Sequence, residues 1–197
     1  MQKIEFPDET TNQFAYDGAG NLVSFTNERG QVTTYTYDGL NRLETETLPA
    51  VDGETPVTRY EYDAAGNVTK VIDANKNSTI YEYDIYGRLK LETNALNEEI
   101  KYIYDAADNL VELIDGEGHS RTYTYDGRGR IKTEVDALDR TTSYEYFDDD
   151  QVKSVTDRLG YKTSYEYDFR NRLVLETDAR DKVTEYEYDA AGNFDFL

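Results

Sequence analysis

Cysteine is absent from the 197-residue chain, which excludes a disulfide framework and any thiolate metal site. That absence is neutral on compartment. No apolar run approaches the roughly 20 residues needed to span a bilayer as a helix. Met1-Gln2-Lys3-Ile4 does not open a signal peptide. Positive charge is scarce, with 21 Lys and Arg against 41 Asp and Glu. The resulting net charge of −20 would be repelled by a nucleic-acid backbone or an anionic membrane surface. It suits the solubility of a large exposed sheet. Also missing are any composition shift, Pro/Ser-rich linker or low-complexity tract, so residues 1–197 read as one continuous array.

What the chain has in abundance is tyrosine at a fixed period. The phrase Tyr35-Thr36-Tyr37-Asp38 returns as Tyr60-Glu61-Tyr62-Asp63, Tyr81-Glu82-Tyr83-Asp84, Tyr102-Ile103-Tyr104-Asp105 and Tyr123-Thr124-Tyr125-Asp126. It continues through Tyr144-Glu145-Tyr146, Tyr165-Glu166-Tyr167-Asp168 and Tyr186-Glu187-Tyr188-Asp189, with Phe14-Ala15-Tyr16-Asp17 as a first, altered copy. The second aromatic serves as anchor at Tyr16, Tyr37, Tyr62, Tyr83, Tyr104, Tyr125, Tyr146, Tyr167 and Tyr188. The spacing is 21 residues except across Leu48 to Pro56, which holds a four-residue insertion. Seventeen of the 19 tyrosines occupy these two positions, so tyrosine is architecture before it is chemistry.

Each unit reads as two strands and two turns. The anchor strand, Thr-x-Tyr-x-Tyr, alternates β-branched or aromatic residues with polar ones at period two. Asp-x-x-Gly/Asn follows, as in Asp63-Ala64-Ala65-Gly66. Its Asp accepts from the backbone two residues on, and its fourth residue tolerates positive φ, which specifies a type I turn with a bulge. The return strand opens on an apolar residue six places after the anchor, Leu43, Val68, Leu89, Leu110, Ile131 and Leu173 among them. With the bulge counted, that residue is expected opposite the anchor tyrosine. By the same count Thr47, Ile72, Thr93, Ile114 and Val135 face the threonine end of the anchor strand. A second turn closes the unit, as in Asp115-Gly116-Glu117-Gly118, and Phe6-Pro7-Asp8-Glu9-Thr10 reads as a variant of it.

Short connections predict an antiparallel meander of sequence neighbours. The fold class is therefore all-β, a solenoid-like array of about nine β-hairpin repeats with almost no helix. One face carries a structural ladder: Tyr35, Tyr37 and Leu43; Tyr60, Tyr62 and Val68; Tyr81, Tyr83 and Leu89; Tyr102, Tyr104 and Leu110. Tyr123, Tyr125 and Ile131, then Tyr165, Tyr167 and Leu173, continue it. Flat, some eighteen strands would span roughly 85 Å and leave the ladder wet, so the ribbon is expected to curl into a spiral or open shell, with no thick core.

A slower rhythm of 42 residues overlies the first. Five places after the anchor, Asn21, Asn67, Asn109, Gln151 and Asn193 alternate with Arg42, Arg88, Arg130 and Arg172. Nine places after it, Phe25, Val71, Leu113 and Val155 alternate with Glu46, Glu92, Glu134 and Glu176. Simple alternation puts both positions on the face opposite the tyrosines. Either the alternation is descent from a doubled unit, or the apolar outer residues are covered by a neighbouring turn of the spiral or by another chain. In the second case Val71, Leu113 and Val155 are more buried than Glu46, Glu92 and Glu134.

The unit Tyr-x-Tyr-Asp-x-x-Gly-Arg/Asn-Leu resembles the YD repeat of the Rhs and insecticidal toxin-complex families, of bacterial wall-associated proteins and of animal teneurins. The stretches 60–68 and 123–131 carry the resemblance most clearly. It implies a β-strip that spirals into a hollow shell around a C-terminal toxin, or part of an adhesion ectodomain. Its implied setting is secreted or at a bacterial cell surface, with the rest of the shell and its toxin cargo as partners. The sequence departs from that pattern in lacking a C-terminal plug motif, a self-cleaving aspartyl protease segment and a toxin domain. Nine repeats look too few to close a shell, and the last stops mid-strand, so the chain reads as a piece of something longer. The turn Phe147-Asp148-Asp149-Asp150 breaks the Asp-x-x-Gly rule. It and the insertion near Pro49-Ala50-Val51-Asp52-Gly53 are the places where a bend or contact site is expected.

No catalytic constellation stands out. His119 has no partner at metal or catalytic spacing, the serines lie in no nucleophile elbow, and the glycines are turn punctuation. Each turn Asp is committed to a cap, which leaves no convergent Ca²⁺ ligand set. No enzyme, cofactor, metal, nucleic acid or membrane insertion is therefore expected. Tyr86 and Tyr161 lie outside the ladder, in turns, and are the candidates for surface contact with glycans or a partner protein. Self-association through open sheet ends or faces is expected from unpaired edge groups.

Overall fold

The computed structural model describes residues 2–5 and 11–195, and among these there is no helix. The turn assigned to residues 6–10 lies outside them, as do the last two residues. The chain divides into two units, Met1–Lys101 and Tyr102–Leu197.

In the first unit the strands are β1 (Gln2–Glu5), β2 (Thr11–Tyr16), β3 (Leu22–Thr26), β4 (Val32–Tyr37) and β5 (Leu43–Thr47). They continue as β6 (Val57–Tyr62), β7 (Val68–Ile72), β8 (Ser78–Tyr83) and β9 (Leu89–Thr93). Each pairs antiparallel with its sequence neighbour. β10 (Glu99–Tyr104) crosses the division, and its first half pairs with β9. The second unit holds β11 (Leu110–Ile114), β12 (Ser120–Tyr125), β13 (Ile131–Val135), β14 (Thr141–Tyr146) and β15 (Val152–Thr156). β16 (Lys162–Tyr167), β17 (Leu173–Thr177) and β18 (Val183–Glu185) follow, paired in the same way. The hairpin of β19 (Glu187–Tyr188) and β20 (Phe194–Asp195) ends it.

The turns show why these sequences double back. At Asp38 the backbone N–H donates to the Arg42 carbonyl (2.9 Å), and the Asn41 N–H donates back to the Asp38 carbonyl (3.0 Å). Asn41 has φ 60°. One Asp38 carboxylate oxygen receives the N–H groups of Leu40 (2.8 Å) and Arg42 (3.0 Å). This is a type I turn closed by a left-handed residue. The second-turn edge uses the same geometry, with Asp73 capping Asn75 and Asn77 and with Lys76 at φ 68°. At Gly66 φ is +97° and an added Cβ would meet nothing within 4 Å. Gly66→Ala is therefore expected to cost about 1–2 kcal/mol through backbone strain alone. Gly39→Ala in the neighbouring turn should cost nothing, and paired denaturant melts will show whether the two differ.

The bulge corrects one sequence expectation. Tyr37 does face Leu43, but the next pair is Thr36 with Thr45, so Glu44 is the extra residue. After it the side-chain parity flips. Glu46 stands directly opposite Tyr35, and Val71 opposite Tyr60, on the tyrosine face rather than behind it. Thr47 and Ile72 pair with Thr34 and Arg59 on the other face. Val71, Leu113, Val155, Glu46, Glu92 and Glu134 are all half-buried.

The two departures from the repeat both keep tight turns. The insertion folds as a hairpin extension: Val51 and Glu54 exchange backbone hydrogen bonds around Asp52 and Gly53, both at positive φ. Phe147 keeps the turn, donating its N–H to the Gln151 carbonyl (2.8 Å) with Asp150 at φ 72°. The turn backbone survives, while the carboxylate cap is lost.

Among the described residues no apolar side chain is fully buried, and Ser154 at 2% exposure is the buried residue. Its hydroxyl donates to Glu145 (3.0 Å) on the face away from the tyrosines. Within each unit the described strands form a single layer.

Candidate functional site

The site that repeats lies between successive hairpins, at the Asp-turn edge. Within a hairpin the ladder runs from Thr34–Thr47 to Tyr37–Leu43. Between hairpins it stops earlier, with Thr45–Arg59 the last pair towards that edge. Backbone groups beyond that point need another partner. The anchor tyrosine supplies it: the Tyr62 hydroxyl donates to the Leu43 carbonyl at 2.7 Å. In the first unit Tyr37 donates likewise to Leu22 (2.9 Å) and Tyr83 to Val68 (2.8 Å). In the second, Tyr125 reaches Leu110 (2.7 Å), Tyr146 Ile131 (2.8 Å), Tyr167 Val152 (3.1 Å) and Tyr188 Leu173 (2.9 Å). Each hydroxyl thus stitches its hairpin to the one before. Burial is the first cause that raises the phenol pKa of Tyr62, Tyr83, Tyr125, Tyr146 and Tyr167 above the usual value.

The sequence put the tyrosine and apolar ladder residues on the strands. Tyr35, Tyr60, Tyr81, Tyr102, Tyr104, Tyr123, Tyr165, Leu89 and Leu173 are all half-buried. It did not reveal the hydroxyl's target, nor the role of the residue five places after the anchor. Arg42 donates Nε and Nη2 to Asp38 Oδ2 (2.7 Å each), donates Nη1 to the Asp63 carbonyl (2.9 Å), and lays its guanidinium 4.6 Å over the Tyr62 ring. Arg130 repeats this with Asp126, the Phe147 carbonyl (2.9 Å) and Tyr146 (4.5 Å). These guanidiniums lie against the next tyrosine rather than standing away from it. Arg172 keeps the carboxylate and the Tyr188 ring, but its Nη1 is buried with no acceptor among the described residues.

Where Phe147 replaces the capping Asp, Arg130 Nη1 also reaches Asp150 Oδ1 (2.8 Å), and Arg128 contacts the Asp148 carbonyl and Asp150. The departure is bridged by arginines from the hairpin before it. Hydrogen bonds from Arg130 and Arg140 are the first cause that holds the Asp126 and Asp136 carboxyls down at about 2.

His119 sits in an exposed turn with a ring nitrogen 3.2 Å from the Asp115 carboxylate and 3.4 Å from that of Glu117. Among the described residues no group of three side chains converges as a metal site. Tyr86 and Tyr161 are 73% and 58% exposed, and Arg88 lies 5.1 Å over the Tyr86 ring.

Antiparallel hairpins of one repeating plan, stitched through tyrosine hydroxyls and mostly capped by Asp turns, define a YD-repeat shell segment. The chain belongs to the teneurin YD-shell family, whose model matches residues 36–193, and the RHS repeat model matches residues 16–50. Among solved structures it is similar to TcdB2-TccC3-TEV, with a TM-score of 0.78 and 16% identity over 98% of this chain and 11% of that one. TcdB2-TccC3 gives 0.66 and 15% identity, over 98% of this chain and 13% of that one. The Tc holotoxin pore of Photorhabdus luminescens gives 0.67 and 15%, over 96% and 13%. At these identities the likeness is one of fold, and the chain spans only about an eighth of each of those chains. No curated protein matches it.

Proposed function

We propose that the chain forms part of the wall of a larger YD-repeat shell that encloses a polypeptide cargo such as a C-terminal toxin. The observation that supports this reading is the stitch from the hydroxyls of Tyr37, Tyr62, Tyr83, Tyr125, Tyr146, Tyr167 and Tyr188 to the preceding hairpin, in strands that bury no apolar side chain of their own among the described residues. Such a layer gains stability by addition of like neighbours. The capping carboxylates are occupied by backbone and Arg or Asn donors, which favours a structural rather than a catalytic role and no cofactor. The rest of the shell, its cargo, and other copies meeting through open sheet ends or faces are the partners, in a secreted or bacterial cell-surface setting.

The intact polypeptide carrying this chain, purified and imaged, is expected to show a hollow particle whose interior segment resists protease. An open ribbon cleaved evenly along its length would overturn the reading. The exposure of Tyr86 and Tyr161 favours a second reading, contact with glycans or a partner protein at the turn edges. Glycan-array binding lost in Tyr86→Ala or Tyr161→Ala would favour it over the first.

A further inference from the structure

Five aspartates stand directly before a glycine: Asp17, Asp38, Asp52, Asp115 and Asp126. Such a step is the one in which aspartate is most open to its neighbour's nitrogen, because glycine has no side chain to shield that nitrogen from the carboxyl carbon. By sequence the five share one chemistry. The structure sets one of them apart.

Asp17, Asp38, Asp115 and Asp126 open turns of the array, and their carboxylates are held. One oxygen of Asp17 receives the N–H groups of Ala19 (2.9 Å) and Asn21 (2.8 Å), and the other receives the Asn21 side-chain amide (2.9 Å). At Asp126 the backbone donors are Arg128 (2.8 Å) and Arg130 (3.1 Å), and Arg130 adds Nε (2.7 Å) and Nη2 (2.6 Å) to the second oxygen. Leu40 and Arg42 hold Asp38 in the same way, and Glu117 and His119 hold Asp115. The donors lie two and four places on, so these bonds must be given up before the carboxyl carbon turns onto the nitrogen one place on. Hydrogen bonds from Asn21, Arg42, His119 and Arg130 are also the first cause that keeps the four carboxyls below the usual range. An ionised carboxylate is the form that does not give up its oxygen as water.

Asp52 stands elsewhere, at the tip of the four-residue insertion. Val51 and Glu54 exchange backbone hydrogen bonds there (2.8 and 3.0 Å), and the two residues between them have φ 51° and 85°. Asp52 and Gly53 are both exposed. Among the described residues no hydrogen bond or ion pair holds the Asp52 carboxylate, and nothing accepts from the Gly53 N–H.

We propose that Asp52–Gly53 is a modification site, the place at which this chain converts aspartate to isoaspartate. The Gly53 nitrogen attacks Cγ of the Asp52 carboxyl. A C–N bond forms, the C–OH bond breaks, and the hydroxyl leaves with the amide proton as water. A second water then opens the five-membered imide at its main-chain carbonyl, so that the backbone runs on through Cγ. One water leaves and one returns, and no oxidant, reductant or cofactor is consumed. The added main-chain carbon falls outside the array, because Thr47 pairs with Val57 and the Leu48 N–H closes on the Pro56 carbonyl (2.9 Å) before the tip is reached. The insertion therefore changes shape at its tip, with a new main-chain carboxylate, while the stitches between hairpins stay as they were. The site is independent of whether the wall closes around cargo.

The test is to hold the whole chain in mildly acidic buffer at body temperature for weeks and to map isoaspartate by proteolysis and fragmentation mass spectrometry. Asp52 should convert at least about tenfold faster than each of the other four, since one hydrogen bond to a charged group is worth that much. In concentrated urea, where the caps are gone, the five rates should converge. Asp52→Glu, whose imide ring would be six-membered and slower to form, should abolish the conversion at this step and leave the thermal midpoint unchanged. Equal rates at all five in the folded chain, no conversion at Asp52, or a preference for Asp52 that persists in urea would overturn the proposal.

Discussion

Replacing Tyr62 by alanine is expected to lower the free energy of unfolding by about 3 kcal/mol, a loss normally associated with a core aromatic. Among the described residues there is no such core, yet three interactions converge on this ring. Its hydroxyl takes up the Leu43 carbonyl at 2.7 Å, its face carries Arg42 at 4.6 Å, and its body fills the junction where the ladder between hairpins has stopped. Tyr62→Phe keeps the ring and the guanidinium but orphans the carbonyl, and should cost about 1 kcal/mol. Tyr86→Ala, at an exposed turn, should stay within about 0.5 kcal/mol. Urea midpoints of the three variants separate the contributions. Equal losses for Tyr62→Phe and Tyr62→Ala would show that the ring contributes nothing. Equal losses for Tyr62→Ala and Tyr86→Ala would remove the stitch from the account altogether.

The signal for the hydroxyl was present in the sequence in a form that is easy to pass over. The first aromatic of the repeat accepts phenylalanine at Phe14, whereas the second is tyrosine at all nine anchors. A position that only needed a ring would not discriminate so strictly. The strands, the turns and the all-β class were legible because each rests on local chemistry: period-two alternation, an Asp that caps its own turn, a fourth residue that accepts positive φ. The faces were not fully legible, because one extra residue reverses the parity of everything after it. Glu46 and Val71 were consequently assigned to the wrong side. The role of Arg42 was hidden for a different reason. Its partners, Asp63 and Tyr62, belong to the next hairpin, and period analysis compares equivalent positions instead of showing which different positions touch. The alternation of Arg with Asn was visible as a rhythm, but that Arg42, Arg130 and Arg172 lie over the next anchor ring needed coordinates.

The thermal midpoint should be flat near neutrality and collapse above about pH 10, with a second, separate loss in acid. The alkaline limb follows from the stitches. Phenol pKa values of Tyr62, Tyr83, Tyr125, Tyr146 and Tyr167 are raised in the folded chain above 10.0, chiefly by burial. A group whose folded pKa is raised contributes stability that is complete below the unfolded pKa and is lost as pH rises through the folded one. The chemistry agrees with the sign, since a phenolate has no proton to give the carbonyl before it. Guanidinium groups stay charged through this range, so the arginine clamps do not share in the loss. The acid limb has the opposite sign. Asp38, Asp63, Asp84, Asp126 and Asp168 are depressed below 3.8, Asp126 to about 2. Their contribution is present above the unfolded value and disappears as pH falls from near 3.8 towards 2. Circular dichroism melts from pH 2 to pH 11.5, read beside phenolate absorbance, test both limbs. Ionisation of the ladder tyrosines without loss of the midpoint would mean that the hydroxyl-to-carbonyl bonds do not hold the hairpins together, and an acid loss centred near pH 5 would take the turn caps out of the account.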